Sequence, residues 1–229
     1  LPLGCAPGEA SGDESQSASE SDASQSDSAE TESVCEASAP GLSSPRIAAQ
    51  GDRFVDALDR EVWLRGVNTG GRAKFDPYFP FPFAESGRPE QADDPSFDEA
   101  LAAYADRVVA WGHNVVRVPF TWEAVESERG VYDAVFLDRY EAMLDAFGAR
   151  GIRVIVDNHQ DVYSRYFCGD GFPPWAVANP PDVYPPLEDC EFWSNGYFAN
   201  ADVNANFDRF WANDDQLRDD FVAMWQEVV

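Results

Sequence analysis

Positive charge is what this sequence has least of. Its 229 residues carry 16 Lys and Arg against 42 Asp and Glu, a formal charge of −26. Phosphate backbones and anionic lipid are held by basic surfaces, so this balance argues against nucleic acid and against a membrane grip through a basic face. Long apolar runs are missing too: none approaches the ~20 residues of a membrane-spanning helix. Histidine is limited to His113 and His159, and no pair of the four cysteines has metal-ligand spacing. A zinc or iron site is therefore not expected. Aromatic residues are absent before Phe54, yet 16 Phe, 8 Tyr and 7 Trp follow from there on. That is too many for a wholly disordered chain.

The aromatic-free part divides the chain into residues 1–50 and 51–229. From Ser11 to Ser38 it is dominated by Ser, Ala, Asp, Glu and Gln, without Lys or Arg. Such a segment buries too little apolar surface to offset its chain entropy and reads as a disordered, extended linker. Ahead of it, Leu1-Pro2-Leu3-Gly4-Cys5-Ala6 resembles the end of a bacterial lipoprotein signal, where a cysteine after a small residue is lipidated. With neither an initiator Met nor a charged leader in view, an upstream piece is expected. Lipid on Cys5 would tether an exported domain at the cell surface or outer membrane, the alternative being a chance Gly-Cys in a secreted chain. Cys168 and Cys190 enclose a Pro-, Trp- and Asp-rich loop. In an exported protein a disulfide there would stabilise by roughly 3 kcal/mol, whereas two buried free thiols are the other reading. Cys35 has no evident partner.

From Phe54 the pattern becomes regular. Phe54–Leu58 and Glu61–Asn68 read as strands around a turn at Asp59-Arg60, followed by a long Gly-, Pro- and aromatic-rich loop. Ser96 and Glu99 form a capping box, and Phe97, Leu101, Tyr104, Val108 and Trp111 make one helical stripe that Gly112 ends. Val115–Phe120 is a β-branched strand. Asp133 caps a helix striped by Phe136, Leu137, Tyr140, Met143, Leu144 and Phe147, and Ile152–Val156 is the next strand. A last helix carries Leu217, Phe221, Met224, Trp225 and Val228. Alternating strands and helices imply a parallel sheet. Gly66-Val67-Asn68-Thr69-Gly70-Gly71 lacks the dinucleotide spacing of a doubly wound fold. Each strand also runs into polar and aromatic residues at its carboxyl end: Asn68, then Thr121-Trp122-Glu123, then Asn158-His159-Gln160-Asp161. The expectation is an α/β fold, the N-terminal portion of a (β/α)8 TIM barrel of about three βα units after a disordered tail.

These strand ends resemble glycoside hydrolase family 5. The likeness is carried by Leu64-Arg65-Gly66-Val67-Asn68, Val116-Arg117-Val118-Pro119-Phe120, Glu126 through Gly130-Val131-Tyr132-Asp133, and Asp157-Asn158-His159-Gln160-Asp161. Three further stretches are similar to the endoglycoceramidase and glycolipid β-glucosidase branch: His159 to Ser164, Gly169 to Ala176, and Phe207 to Asn213. The resemblance implies a cofactor-free retaining glycosidase acting on a β-linked glucoside, glycolipid or oligosaccharide. It makes Arg117 and His159 supporting catalytic residues, and has Asp161 facing sugar hydroxyls. Arg117 lies within an apolar strand and must in any case meet an anion. Lys74, whose loop resembles a sugar-binding loop of the glycolipid branch, is expected to reach the sugar, with a solvated lysine as the alternative; Trp122 and Trp175 offer flat faces for a pyranose, with core packing as the alternative. Glu123, Glu126, Glu128 and Asp214-Asp215 read as solvated loop residues and helix caps.

Retaining hydrolysis needs two carboxyl groups roughly 5–5.5 Å apart. The family's acid/base glutamate belongs to an Asn-Glu-Pro ending strand four, its nucleophile to strand seven, and the sequence contains no Asn-Glu-Pro. Both glutamates are thus expected outside this chain, which should be inactive and aggregation-prone alone. The competing expectation is a non-catalytic, carbohydrate-binding surface lipoprotein.

Overall fold

The computed structural model describes residues 46–86 and 93–229; most of the linker, with Cys5 and Cys35, lies outside the described residues. The first three strands, β1 (Ile47–Gln50), β2 (Arg53–Asp56) and β3 (Glu61–Val62), form an antiparallel sheet in that order. Strand β1 is not foreshadowed by any pattern in the sequence and stands just before position 51. A second sheet is parallel, in the order β4 (Gly66–Asn68), β5 (Val115–Phe120) and β6 (Arg153–Asn158). Its crossovers carry α1 (Phe97–Ala110) between β4 and β5, then a single turn α2 (Trp122–Val125) and α3 (Ala134–Ala149) between β5 and β6. After β6 come α4 (Gly196–Ala199), α5 (Ala201–Ala212) and α6 (Leu217–Val228). Three parallel strands with helical crossovers make this an α/β fold, and no closed barrel is present among the described residues. No described helix is long and apolar enough to cross a membrane.

Local chemistry explains the element ends. Ser96 and Glu99 form the reciprocal box that starts α1, and the Asp133 side chain accepts the Phe136 N–H to start α3. Trp111, placed on the α1 stripe by its spacing, is instead the exposed C-cap residue. One strand was expected over Glu61–Asn68, and the structure divides it between the two sheets. The reason is Asn114, whose side chain donates to the Trp63 carbonyl at 2.7 Å and accepts the Arg65 N–H at 2.8 Å. Those bonds replace a sheet ladder at the point where the chain crosses over. Helix α5 was not anticipated, because its buried face carries Asn206 between Val203 and Phe210. Asn206 is 1% exposed, accepts the Ala178 N–H and donates to the Asp202 carbonyl, so a polar residue holds a core position.

The core lies on one face of the parallel sheet. Val116, Val118 and Phe120 are completely buried and point toward α1 and α3, meeting Leu101, Val108, Tyr140, Met143 and Phe147. Phe79, Phe81 and Phe83, from the loop after β4, join Phe97 in an aromatic cluster at ring separations of 5.1–6.2 Å. Because side chains alternate along a strand, the opposite face presents Val115 and Arg117 of β5 and Ile155 and Asp157 of β6. That face is open: Ile155 is 52% exposed, and a hollow there is lined by Gly66, Asn68, Val115, Arg117 and Ile155. Gly66 is required for it, since a Cβ would stand 1.8 Å from the Val115 carbonyl oxygen.

Candidate active site

The polar residues of the open face meet at the carboxyl ends of the parallel strands. The loop after β4 ends a 3-10 turn at Lys74, β5 supplies Arg117, and β6 with the loop beyond it supplies Asp157, His159 and Asp161. Arg117 donates to Asp157 Oδ2 at 2.6 Å and to His159 Nδ1 at 3.1 Å. A guanidinium can only donate, so Nδ1 accepts and the imidazole carries its proton on Nε2. Nε2 stands 3.3 Å from Asp161 Oδ2, to which it donates. The Lys74 ammonium also hydrogen-bonds Asp161 Oδ2 and lies 3.8 Å from Asp170 Oδ2. One continuous polar chain results, running from Asp157 through Arg117, His159, Asp161 and Lys74 to Asp170.

The loop beyond β6 is locked so that Asp161 and Asp170 face each other. Their backbones exchange two hydrogen bonds, of 3.1 and 2.9 Å. Gly169 permits that approach, because a Cβ there would fall 1.6 Å from the Asp161 carbonyl oxygen. Val162 and Tyr163 both have positive φ, 41° and 75°, an outlier for a β-branched residue. Burial holds them there: both are fully enclosed, with Tyr163 stacked on Phe172 at 3.9 Å.

Electrostatics separates the two facing carboxylates. Burial pushes Asp161 up, but the Lys74 ammonium and the His159 hydrogen bond outweigh it and hold the group below its ordinary value. Burial raises Asp170 to about 7; Lys74 opposes this, while Asp161 and Glu123 add to it. The side chain of Asp170 is 2% exposed, and its Oδ1 has no hydrogen-bond partner. His159, Asp161 and Asp170 bring ligand atoms within 4.8 Å of one another, the spacing of a metal site. Lys74 already supplies a cation to both carboxylates, so these residues fit an ammonium clamp better than an ion site. What the arrangement offers a ligand is a row of donors and acceptors at fixed spacing, suited to hydroxyl groups.

The structure thus brings together Lys74, Arg117, His159 and Asp161, and it corrects the reading of Trp122. That ring is 1% exposed, packed against Phe172, Trp175 and Phe221, and donates to Glu126 Oε2 at 2.7 Å. Projecting from α2 onto α6 and the loop beyond β6, it has no face left for a sugar. Trp175 is half-buried; its ring nitrogen donates to the Glu126 carbonyl and the Arg129 guanidinium lies 5.3 Å from the ring centre. It is not part of the polar chain. Glu123 and Glu126 are not solvated loop residues. Glu126 is 1% exposed and accepts from Trp122 and the Gly130 N–H, whereas Glu123 pairs with Arg165 at 3.3 Å. Burial raises Glu123, with Arg165 opposing. Cys168 and Cys190 are disulfide-bonded, with Cα atoms 5.3 Å apart. Asp157 and Asp170 were given no role from sequence. Strand alternation was the available signal for Asp157, because it shares the Arg117 face in the β5–β6 register.

A parallel α/β sheet with its polar cluster at the carboxyl end is the architecture of α/β enzymes, in which strand ends carry the site. Residues 84–229 match the family model described as cellulase (glycosyl hydrolase family 5), and the chain belongs to that family. It is 32% identical over 76% of its length to endoglycoceramidase I of Rhodococcus hoagii, covering 31% of that protein. It is 37% identical over 59% of its length to a glucosylceramidase of Cryptococcus neoformans, covering 18% of that protein. Among solved structures, endo-glycoceramidase II from Rhodococcus sp. superposes with a TM-score of 0.55 at 31% identity, over 76% of this chain and 37% of that one. Sterylglucosidase 1 of Cryptococcus neoformans gives 0.62 at 26% identity, over 80% and 32%. The chain therefore spans between 18% and 37% of the length of these relatives.

Proposed function

We propose that residues 46–229 are the opening three βα units of a (β/α)8 glycosidase that cleaves a β-glucosidic bond in a glycolipid or β-linked oligosaccharide with retention. One observation carries the reading: the chain of contacts joining Lys74, Asp161, His159, Arg117 and Asp157 at the carboxyl ends of three parallel strands. A sugar hydroxyl both donates and accepts, and this row offers both to neighbouring hydroxyls without a cofactor. Names among the relatives, endoglycoceramidase, glucosylceramidase and ergosteryl-beta-glucosidase, support a β-glucoside of a lipid as substrate.

Within this reading the roles divide by pairing. Asp157 pairs with Arg117 and Asp161 with Lys74, while the Asp170 side chain is only 2% exposed, so this reading gives none of them the attack on an anomeric carbon or the protonation of a leaving group. Acid/base and nucleophile belong to glutamates on further barrel strands, and Arg117 reaches toward the nucleophile from the open face. The exposed side of the sheet, with Ile155 half in solvent, is where those strands would close the barrel. The disulfide fits an exported protein, and Cys5 would anchor it through lipid.

The test is to express the whole open reading frame and follow glucose release from glucosylceramide and from an aryl β-glucoside. Hydrolysis that Lys74→Ala and Asp161→Asn each weaken is the expected result. No hydrolysis from the whole frame, together with saccharide binding by the 229-residue chain, would instead favour a non-catalytic surface lipoprotein.

A further inference from the structure

Asp170 is the most enclosed member of the polar chain. Its side chain is 2% exposed, where those of the other five members are 18–33% exposed. A group buried to this depth does not itself meet a sugar. Its Oδ1 is nevertheless left without a partner, and a buried oxygen in that state calls for an explanation in what surrounds it.

The charged groups that face Asp170 come from separate parts of the fold. Lys74, from the loop after β4, stands 3.8 Å from its Oδ2. Asp161 and His159, at the end of β6 and just past it, keep an oxygen and a nitrogen within 4.8 Å of its carboxyl. Glu123 adds negative charge from α2, which is joined to this loop by the Glu123 N–H donating to the Gly171 carbonyl at 2.9 Å. Arg165 offsets part of that charge from 3.3 Å.

Two carboxyl groups so close do not both ionise without repulsion. Burial pushes both up; Lys74 and His159 outweigh it at Asp161, whereas Asp170 is held at about 7. A protonated Asp170 turns an acceptor into a donor, and its side-chain hydrogen bond goes to Asp161. Lys74 then serves Asp161 alone. An ionised Asp170 is a second carboxylate for the same ammonium, and a shift of about 1 Å brings Lys74 within hydrogen-bond distance of it. The loop itself does not yield, because the paired backbone bonds and the close approach at Gly169 fix both carboxyls. The flexible lysine stem is the part that moves.

We propose that Asp170 is a positioning residue for the sugar site, acting through Lys74: protonated, it leaves the ammonium beside Asp161, where both meet a hydroxyl; ionised, it draws the ammonium inward and weakens the grip. The inference rests on the glycosidase reading above, and its test separates the two. The probe is methyl β-thioglucoside, whose sulfur linkage resists cleavage. Its affinity is measured by calorimetry on the product of the whole open reading frame, from about pH 5.5 to about pH 8.5. Thermal scans at both ends confirm that each variant is folded. The wild type binds about tenfold more weakly at the alkaline end, the scale of one hydrogen bond to a charged group. In Asp170→Asn, which keeps a donor and has no proton to lose, the ratio of the two affinities falls to near one. Lys74→Met binds weakly and shows no step. Glu123→Gln keeps the step and moves its midpoint to lower pH, because a negative neighbour is gone. A step of unchanged size in Asp170→Asn assigns it to another group, His159 included, and overturns the proposal. Survival of the step in Lys74→Met, its loss in Glu123→Gln, or equal binding by the wild type at both ends overturns the positioning role alone. Failure of the wild type to bind the probe at any pH overturns the glycosidase reading together with it.

Discussion

The two faces of the parallel sheet are built from the same strands and obey different rules. On one face Val116, Val118 and Phe120 are fully buried beneath α1 and α3. On the other, Arg117 and Ile155 line an open hollow, and the side chains of Arg117 and its partner Asp157 are 33% and 24% exposed. The first face holds the fold by removing apolar surface from water, and the second holds it by almost nothing. Substitutions on the two faces should therefore fail in different assays.

The largest effect belongs to the packed face. Phe120→Ala removes a completely buried ring that meets Tyr140 at 5.5 Å and Trp225 at 5.1 Å. It should cost about 3–5 kcal/mol in urea unfolding. Arg117→Met, three residues earlier on the other face, should change stability by no more than about 1 kcal/mol, because its ion pair is partly solvated. Its effect should appear in turnover, as a loss of about a hundredfold in kcat with the whole open reading frame expressed, the scale of removing one preorganised donor. Equal destabilisation by the two substitutions would erase the distinction between the faces.

A third prediction sharpens the comparison through pH. Asp170 is buried at the edge of the open face and held up to about 7, against an ordinary 3.8. The folded protein then keeps a proton that the unfolded chain releases between those values. Stability should fall as pH rises from about 4 to about 7. Asp170→Asn should flatten that slope in urea midpoints measured across the window. Glu123 is also raised by burial and adds the same sign, so the slope should be reduced and not abolished. Asp161 is held low and acts only in more acidic solution, where protonating it loses the Lys74 pair.

The same division explains what could be read from the sequence. Both long crossover helices were legible because the packed face writes itself as apolar periodicity, bounded by Ser96, Asp133 and the glycines at 112 and 151. Helix α5 was not, since Asn206 sits where an apolar residue was looked for and answers to a hydrogen bond from across the fold. The division of Glu61–Asn68 was hidden for a related reason: its cause is Asn114, some 50 residues away in sequence. Lys74, Arg117, His159 and Asp161 were found by family likeness, not by periodicity. Asp170 lies in a loop with no period at all, and only the fold reveals that it faces Lys74. Trp122 was misjudged because an aromatic at a strand end can serve as a sugar platform or a wedge, and composition does not distinguish them.

The smallest expected effect is also the one that tests why the second face is open. Ile155 is 52% exposed, on the strand face that carries Arg117 in the register Arg117↔Ile155. In the 229-residue chain Ile155→Ser removes little buried surface, and its effect on the urea midpoint should stay within about 0.5 kcal/mol. If further strands close a barrel over this face, the same residue becomes interior in the product of the whole reading frame. The same substitution should then cost several-fold more there, as a polar group buried among packed side chains. Equal, small costs in both proteins would mean that the face stays in water, and with it that Arg117 has no barrel interior to reach across.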